Sequence, residues 1–172
     1  KFMGKKWDHD VPSVELWREV FRVLKPGAHL LSFGGTRTYH RMVCAIEDAG
    51  FEIRDQIQWI YGSGFPKSHN LDEEWKGWGT ALKPANEPIV LARKPLSEKT
   101  VAENVLKWGT GAINVDGSRI EAADQDILDA AVKRMTGNAA NNGAFQSSKN
   151  IKPNSAQGRW PANVLFDEQA AF

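Results

Sequence analysis

The most constraining feature of this chain is a strand–helix–strand pattern between residues 25 and 67. The turn sequence Lys25-Pro26-Gly27 leads into an apolar run, His29 to Phe33, which ends at the glycine pair 34–35. A helical pattern closed by Gly50 follows, and then an alternating strand that ends in glycine and aromatic residues at 61–66. The order predicts an α/β fold. Ligands bind at the carboxyl ends of strands in such sheets, so these segments are candidates for one wall of an active site.

Composition limits what the chain can bind. It has 172 residues, 41% of them hydrophobic and 25% charged, which is ordinary for a soluble globular domain with a real core. The formal net charge is +1, so any contact with nucleic acid must come from a local patch. No apolar run approaches the roughly 20 residues that span a bilayer, and no signal peptide is evident, so we expect a cytoplasmic protein without a membrane partner.

The cysteine and histidine content argues against a metal site. The single cysteine, Cys44, excludes an internal disulfide and a cysteine-rich zinc site, and we expect it to be an inert part of the core. The four histidines have no metal-ligand spacing. We therefore expect no bound metal.

Periodicity predicts the elements of the first 95 residues. A helix should begin after Ser13 and another should carry Tyr39, Met42 and Ile46 on one face. We expect a buried strand at 29–33 and a short strand at 88–92. A third should span 51–59 with residues 51, 53, 57 and 59 facing one way. The glycine-rich connection 61–86 carries two tryptophans and should be ordered.

Beyond residue 96 the pattern weakens, and we expect an irregular distal region. Apolar residues between 120 and 135 are typical of an isolated helix, and residues 136–158 have the composition of a flexible loop. Residues 160–166 suit a further strand. The predicted domains are 1–95 and 96–172.

Seven segments in a fixed order resemble the phage-type site-specific DNA methyltransferases. These segments are Phe2–Asp8, Leu24–Gly27, Phe33–Arg37, Ala49–Phe51, Gly64–Lys67, Lys83–Pro88 and Arg159–Val164. The family methylates exocyclic amino groups of adenine or cytosine, uses S-adenosylmethionine as methyl donor and has a Rossmann-like sheet. The resemblance implies a partial Rossmann-like methyltransferase sheet, with 1–95 as the catalytic half and 96–172 as a candidate target-recognition segment.

The resemblance also implies what the chain lacks. The family's catalytic tetrapeptide would precede Phe2, and its glycine-rich cofactor loop would follow Phe172, so we assign no catalytic residue within the chain. We expect the chain to be a fragment that is inactive alone and binds S-adenosylmethionine poorly.

Amino-group methylation requires the target base to leave the duplex, because its nitrogen is inaccessible within the stack. By resemblance, the base-binding residues are Tyr61, Phe65 and Pro66, where an aromatic ring would stack on the extruded base. The alternative is that Phe65 and Pro66 only anchor a turn in the core.

Phe33, Gly34, Gly35 and Thr36 are candidates for the cofactor site, with tight helix–strand packing as the alternative. Basic side chains at predicted loops and strand ends are candidates for contacts with DNA phosphates. These are Lys5, Lys6, Arg37, Arg41, Lys67 and Lys83.

We therefore expect an enzyme that methylates the exocyclic amine of adenine in double-stranded DNA. Cytosine N4 is the nearest alternative. A methyltransferase that acts on RNA or protein and a non-catalytic DNA-binding module are the competing classes. A second copy of the chain is a further candidate partner.

Overall fold

The computed structural model describes residues 10–66, 68–120, 158 and 160–167. The predicted Lys5, Lys6 and Lys67, and nearly all of the predicted helix and loop between 120 and 158, lie outside the described residues. The helices are α1 (Val14–Val23), α2 (Tyr39–Asp48) and α3 (Val101–Trp108). The strands are β1 (His29–Phe33), β2 (Glu52–Ile60), β3 (Asn86–Arg93) and β4 (Val164–Phe166). Among the helices described, none is long and apolar enough to cross a membrane.

The strands form one mixed sheet in the order β1-β3-β2-β4. Because β3 is antiparallel to both β1 and β2, those two strands run parallel, and β4 is parallel to β2. The carboxyl ends of β1, β2 and β4 therefore meet at one edge of the sheet, which we call the cleft edge. The α/β prediction is confirmed, and so is the convergence of the two glycine-rich strand ends.

The alternation predicted for β2 holds only as far as Ile53. Ile53 lies opposite Ala92, but the register shifts before Asp55, and Ile57 lies opposite Ile89. Ala92 and Ile89 are three positions apart in β3 and so face opposite sides of the sheet. An irregularity of this kind inserts an extra residue. The prediction that Ile53 and Ile57 face the same way is therefore wrong.

One face of the sheet carries the core. Helices α1 and α2 cover it, and the core residues that cluster there include Trp17, Met42, Ile46 and Val90. Phe21 of α1 contacts the ring of Phe51 edge to face, with ring centroids 5.1 Å apart. The apolar faces predicted for both helices are confirmed.

The other face of the sheet carries exposed apolar side chains. Strand pairing places Leu31 and Phe33 of β1 on the face that Ile89 and Trp59 share. Leu31 is 56% exposed and Phe33 is 55% exposed. The predicted burial of β1 is wrong, because β1 is an edge strand whose side chains alternate between a covered and an open face. Cys44 is also exposed, since it lies on the outward side of α2, so its predicted place in the core is wrong.

Helix α3 was not predicted from sequence. It begins with a capping box in which Thr100 and Glu103 each bind the other's backbone N–H. Asn104 is fully buried and forms three hydrogen bonds: its Nδ2 donates to the Pro26 and Thr110 carbonyls, and its Oδ1 accepts from Ser97 N–H. These bonds fasten α3 to the turn that precedes β1.

The chain divides into two compact units, residues 1–112 with 163–172, and residues 113–162. In the described part of the second unit, Arg119 binds the Asp116 carboxylate at 2.7 Å and stacks over the Trp160 ring at 5.1 Å. Its guanidinium also donates to the Gly158 carbonyl. The predicted boundary at residue 95 stays a prediction.

Candidate functional site

Two clefts open at the cleft edge of the sheet. The smaller, about 330 Å³, is here called the aromatic cleft, and its wall consists of Phe33, Gly34, Gly35, Thr36, Tyr61, Pro84, Asn86 and Glu87. The larger, about 650 Å³, is called the cationic cleft, and its wall consists of Gly35, Thr36, Arg37, Thr38 and residues 80–86. Both volumes fall in the range typical of ligand pockets. The clefts adjoin, since they share Gly35, Thr36, Pro84 and Asn86.

The aromatic cleft continues a row of rings on the open face of the sheet. Phe33 and Trp59 meet edge to face at 6.0 Å, and Trp59 and Tyr61 do so at 6.3 Å. Tyr61 is half-buried, and its backbone N–H donates to the Ala85 carbonyl at 3.0 Å. This row brings aromatic rings to the mouth of the cleft.

The two adjacent glycines of the cleft wall, Gly34 and Gly35, differ in how much space a side chain would have. A side chain at Gly34 would lie 2.8 Å from the Met42 methyl group and 3.2 Å from Tyr39, so Gly34 lets α2 pack closely on β1. A side chain at Gly35 would meet only Thr38, at an ordinary 3.6 Å. Gly34 therefore lies against side chains of α2, whereas Gly35 leaves open backbone beside the cleft.

Gly64 joins the two loops that border the clefts. Its φ is +151°, and a side chain there would lie 2.5 Å from the Pro84 carbonyl oxygen, so only glycine fits. Lys83 Nζ donates to the Gly62 carbonyl at 2.9 Å across the same junction. The loop after β2 is thus held against the segment that leads into β3.

Strand β4 brings a residue to this edge that sequence analysis missed. Asp167 follows β4, and its Oδ1 accepts from Gly62 N–H at 3.4 Å, while its own N–H donates to the Ile60 carbonyl. Asn163 fixes the other end of β4 through its Nδ2, which donates to the Gln56 carbonyl at 3.1 Å. Only the pairing of β4 with β2 reveals these contacts, because about 100 residues separate the partners along the chain.

The structure brings together some of the predicted site residues and not others. Tyr61 and residues 33–36 line the aromatic cleft. Phe65 is 86% exposed and Pro66 is exposed, and neither lines the aromatic cleft or the cationic cleft. Phe65 therefore does not anchor its turn in the core. Which of these residues contact base or donor stays a prediction.

The predicted cationic residues that the structure describes also differ in position: some line a cleft and one does not. Arg37 and Lys83 line the cationic cleft. Arg41 is exposed outside both clefts, with its guanidinium 3.9 Å from the Asp10 carboxylate. In the long connection before β3, Trp75 and Trp78 meet edge to face at 5.5 Å.

Two groups on β1 and α2 have shifted pKa values: His29 begins β1, at the end away from the clefts, and Tyr39 lies beside Gly34 of the cleft wall. Burial lowers the pKa of His29, and the charges of Arg93 and Arg54 lower it further. Burial raises the pKa of Tyr39, with a contribution from the Asp55 carboxylate. Within the described ranges, no cluster of three or more His, Cys, Asp or Glu residues is placed to hold a metal.

Comparison with known proteins places this geometry in context. The sequence model of a DNA methylase family, named for N6 and N4 methylation, matches residues 7–166. The type II methyltransferase M.HindIII of Haemophilus influenzae is 34% identical over an alignment that covers 59% of this chain and 38% of that protein. This chain thus spans well under half of that relative.

Two solved structures are similar at lower identity. The M1.HpyAVI–SAM complex matches with a TM-score of 0.37 and 18% identity, over 48% of this chain and 38% of that one. A structure of M1.HpyAVI matches with a TM-score of 0.35 and 20% identity, over 48% and 37% of the two chains.

Proposed function

This chain belongs to the DNA methylase family, and we propose that the protein containing it transfers a methyl group to the exocyclic amine of adenine in double-stranded DNA. S-adenosylmethionine is the methyl donor of this family. The observation that carries the proposal is the aromatic cleft, where two strand ends bring Tyr61 beside Phe33 and the bare backbone of Gly35.

The aromatic cleft has the chemistry that an extruded base requires. Tyr61 offers a ring for stacking, which is worth about 1–3 kcal/mol per base. Asn86 and Glu87 also line the cleft, and their oxygens can accept hydrogen bonds from an exocyclic amine. Such bonds would hold the amine in place, and positioning supplies most of the rate in a transfer of this kind.

The residues present fit one part of a donor site. Phe33, Gly35 and Thr36 would border S-adenosylmethionine, which supplies an electrophilic methyl group when bound. Because a cleft of about 330 Å³ lies at the small end of the ligand-pocket range, the base and the whole donor would not share it. That the 172 residues alone bind the donor weakly and do not turn over stays a prediction.

Cytosine N4 is the second candidate target, because the acceptors of Asn86 and Glu87 match the amine of either base. The family match does not favour RNA or protein as substrate, since the matched family is one of DNA methylases. We place the enzyme in the cytoplasm. A homodimer stays a prediction.

The test is methyl transfer by the intact protein from radiolabelled S-adenosylmethionine to duplex DNA, RNA and protein in parallel. We expect label only in DNA, and N6-methyladenine as the labelled nucleoside after digestion. Labelled N4-methylcytosine would establish the second candidate. Label in RNA with none in DNA would overturn the proposal.

A further inference from the structure

The cationic cleft differs in chemistry from the aromatic cleft beside it. Arg37 and Lys83 line it, and so do the hydroxyl-bearing residues Thr36, Thr38 and Thr80. None of its lining residues, all of which the structure describes, is acidic. Since the chain as a whole carries a net charge of only +1, this is a local concentration of positive charge and hydroxyl donors.

The two cations are available to a ligand to different degrees. Arg37 is exposed and has no ion-pair or hydrogen-bond partner among residues 10–66 and 68–120. Lys83 uses one donor on the Gly62 carbonyl, which leaves two of its three ammonium protons free of that bond. A guanidinium pairs with a phosphate through two parallel N–H groups, so Arg37 is the stronger candidate for an anion ligand.

We propose that the cationic cleft binds the phosphodiester group of the same nucleotide whose base enters the aromatic cleft. A nucleotide joins a flat ring to an anion through one sugar, so it requires adjoining sites of these two kinds. The shared wall of Gly35, Thr36, Pro84 and Asn86 provides that adjacency. The inference rests on the proposed function, because it assigns the base to the aromatic cleft.

A phosphate held there would have a catalytic consequence as well as an effect on affinity. Phosphate contacts fix the register of a protein on DNA without reading sequence. A contact to the extruded nucleotide's own phosphate would also fix how deeply its base enters. Arg37 would then be a positioning residue for the amine rather than a general DNA-binding residue.

The test compares 2′-deoxyadenosine 5′-monophosphate with 2′-deoxyadenosine in NMR titrations of the intact protein. We expect the nucleotide to bind about tenfold more tightly than the nucleoside. Arg37→Ala should remove most of that advantage while nucleoside binding stays unchanged, and Arg37→Lys should restore part of it. Lys99→Ala is the matched control: Lys99 is also an exposed cation, but it follows the far end of β3, so the advantage should persist.

A second readout is the salt dependence of binding to duplex DNA. Arg37→Ala should lower the slope of log affinity against log salt by about 1, and Lys99→Ala should leave it unchanged. Equal binding of nucleotide and nucleoside by the wild type would overturn the inference, as would a full nucleotide advantage in Arg37→Ala. Methyl transfer to DNA, measured separately, would then leave the proposed function standing.

Discussion

The cleft edge of the sheet and the opposite end differ in how their polar side chains are bonded. At the far end, opposite the cleft edge, buried polar side chains are hydrogen-bonded: Asn104 forms three bonds with backbone groups, and Arg93 binds the partly exposed Glu52 carboxylate at 2.6 Å. Lys94 there donates to two carbonyls at the end of α1, those of Phe21 and Leu24. At the cleft edge the aromatic and cationic side chains are exposed or half-buried and largely face solvent.

This difference separates stability from binding. A fully satisfied buried network resists opening, whereas exposed side chains on loops are free to meet a ligand. The comparison implies that substitutions at the far end should unfold the chain, and that those at the cleft edge should change binding or rate at nearly constant stability. The predictions below test that division in order of expected effect.

The largest effect should come from Asn104→Ala at the far end. The change would remove the three hydrogen bonds of a fully buried side chain, although the Pro26 carbonyl keeps its bond from Thr110 Oγ1 and Ser97 is exposed. At about 1 kcal/mol for each lost bond, we expect a loss of about 3 kcal/mol in the free energy of unfolding, measured by urea denaturation. Asn86→Ala, the same change at the cleft edge, should cost less than about 1 kcal/mol. Equal losses of unfolding free energy in the two variants would refute the division between stability at the far end and binding at the cleft edge.

Tyr61→Ala should have the largest effect on rate. Loss of a stacking ring worth about 1–3 kcal/mol predicts a decrease in kcat/KM for methyl transfer of about 5- to 150-fold. Tyr61→Phe retains the ring and should keep near wild-type activity, and neither change should shift the unfolding free energy by more than about 1 kcal/mol. Full activity in Tyr61→Ala would remove Tyr61 from the base site.

Gly64→Ala should distort the cleft edge without unfolding the chain. The added methyl group would meet the Pro84 carbonyl, so the two loops must separate. Gly77→Ala is the matched control, since Gly77 also has a positive φ, of +93°, but nothing lies within 4 Å of an added methyl group. We expect Gly64→Ala to reduce methyl transfer at least about tenfold more than Gly77→Ala, an excess of about 1.4 kcal/mol in activation free energy. Equal activities would show that the junction does not shape the site.

The smallest effect concerns pH and the far end. Because the folded-state pKa of His29 is lowered, the folded protein binds fewer protons there than the unfolded chain. The stabilisation is fully present above the ordinary histidine pKa and is lost as pH falls below it. Between pH 7.5 and 6, the unfolding free energy of the wild type should therefore fall more than that of His29→Asn. An equal pH dependence of the unfolding free energy in the two proteins would contradict the lowered pKa of His29.

Features of sequence that act over a few residues were predictable. Helices α1 and α2 have apolar side chains at helical spacing and local start and stop signals, so their positions and buried faces followed from sequence alone. The convergence of Gly34 and Tyr61 at one edge also followed, because parallel strands in a strand–helix–strand unit place their carboxyl ends together.

Other features depended on partners distant in the chain. The irregularity after Ile53 arises from the register with β3, and the exposure of β1 arises from which face of the sheet α1 and α2 cover. Asn104 and Asp167 lie in segments whose local pattern is weak. The bond from Asn104 to the Pro26 carbonyl and the bond from Gly62 N–H to Asp167 join residues that are distant in sequence.

The sequence by itself determined the α/β class, the two core helices and the edge at which a ligand would bind, since periodicity and turn chemistry are local properties. Tertiary structure alone decided that Arg37 and Lys83 share a cleft, that Phe65 lies outside it and that Gly34 lies against Met42 and Tyr39. The physical reason is that burial and charge proximity depend on pairing and coverage, which no single segment encodes.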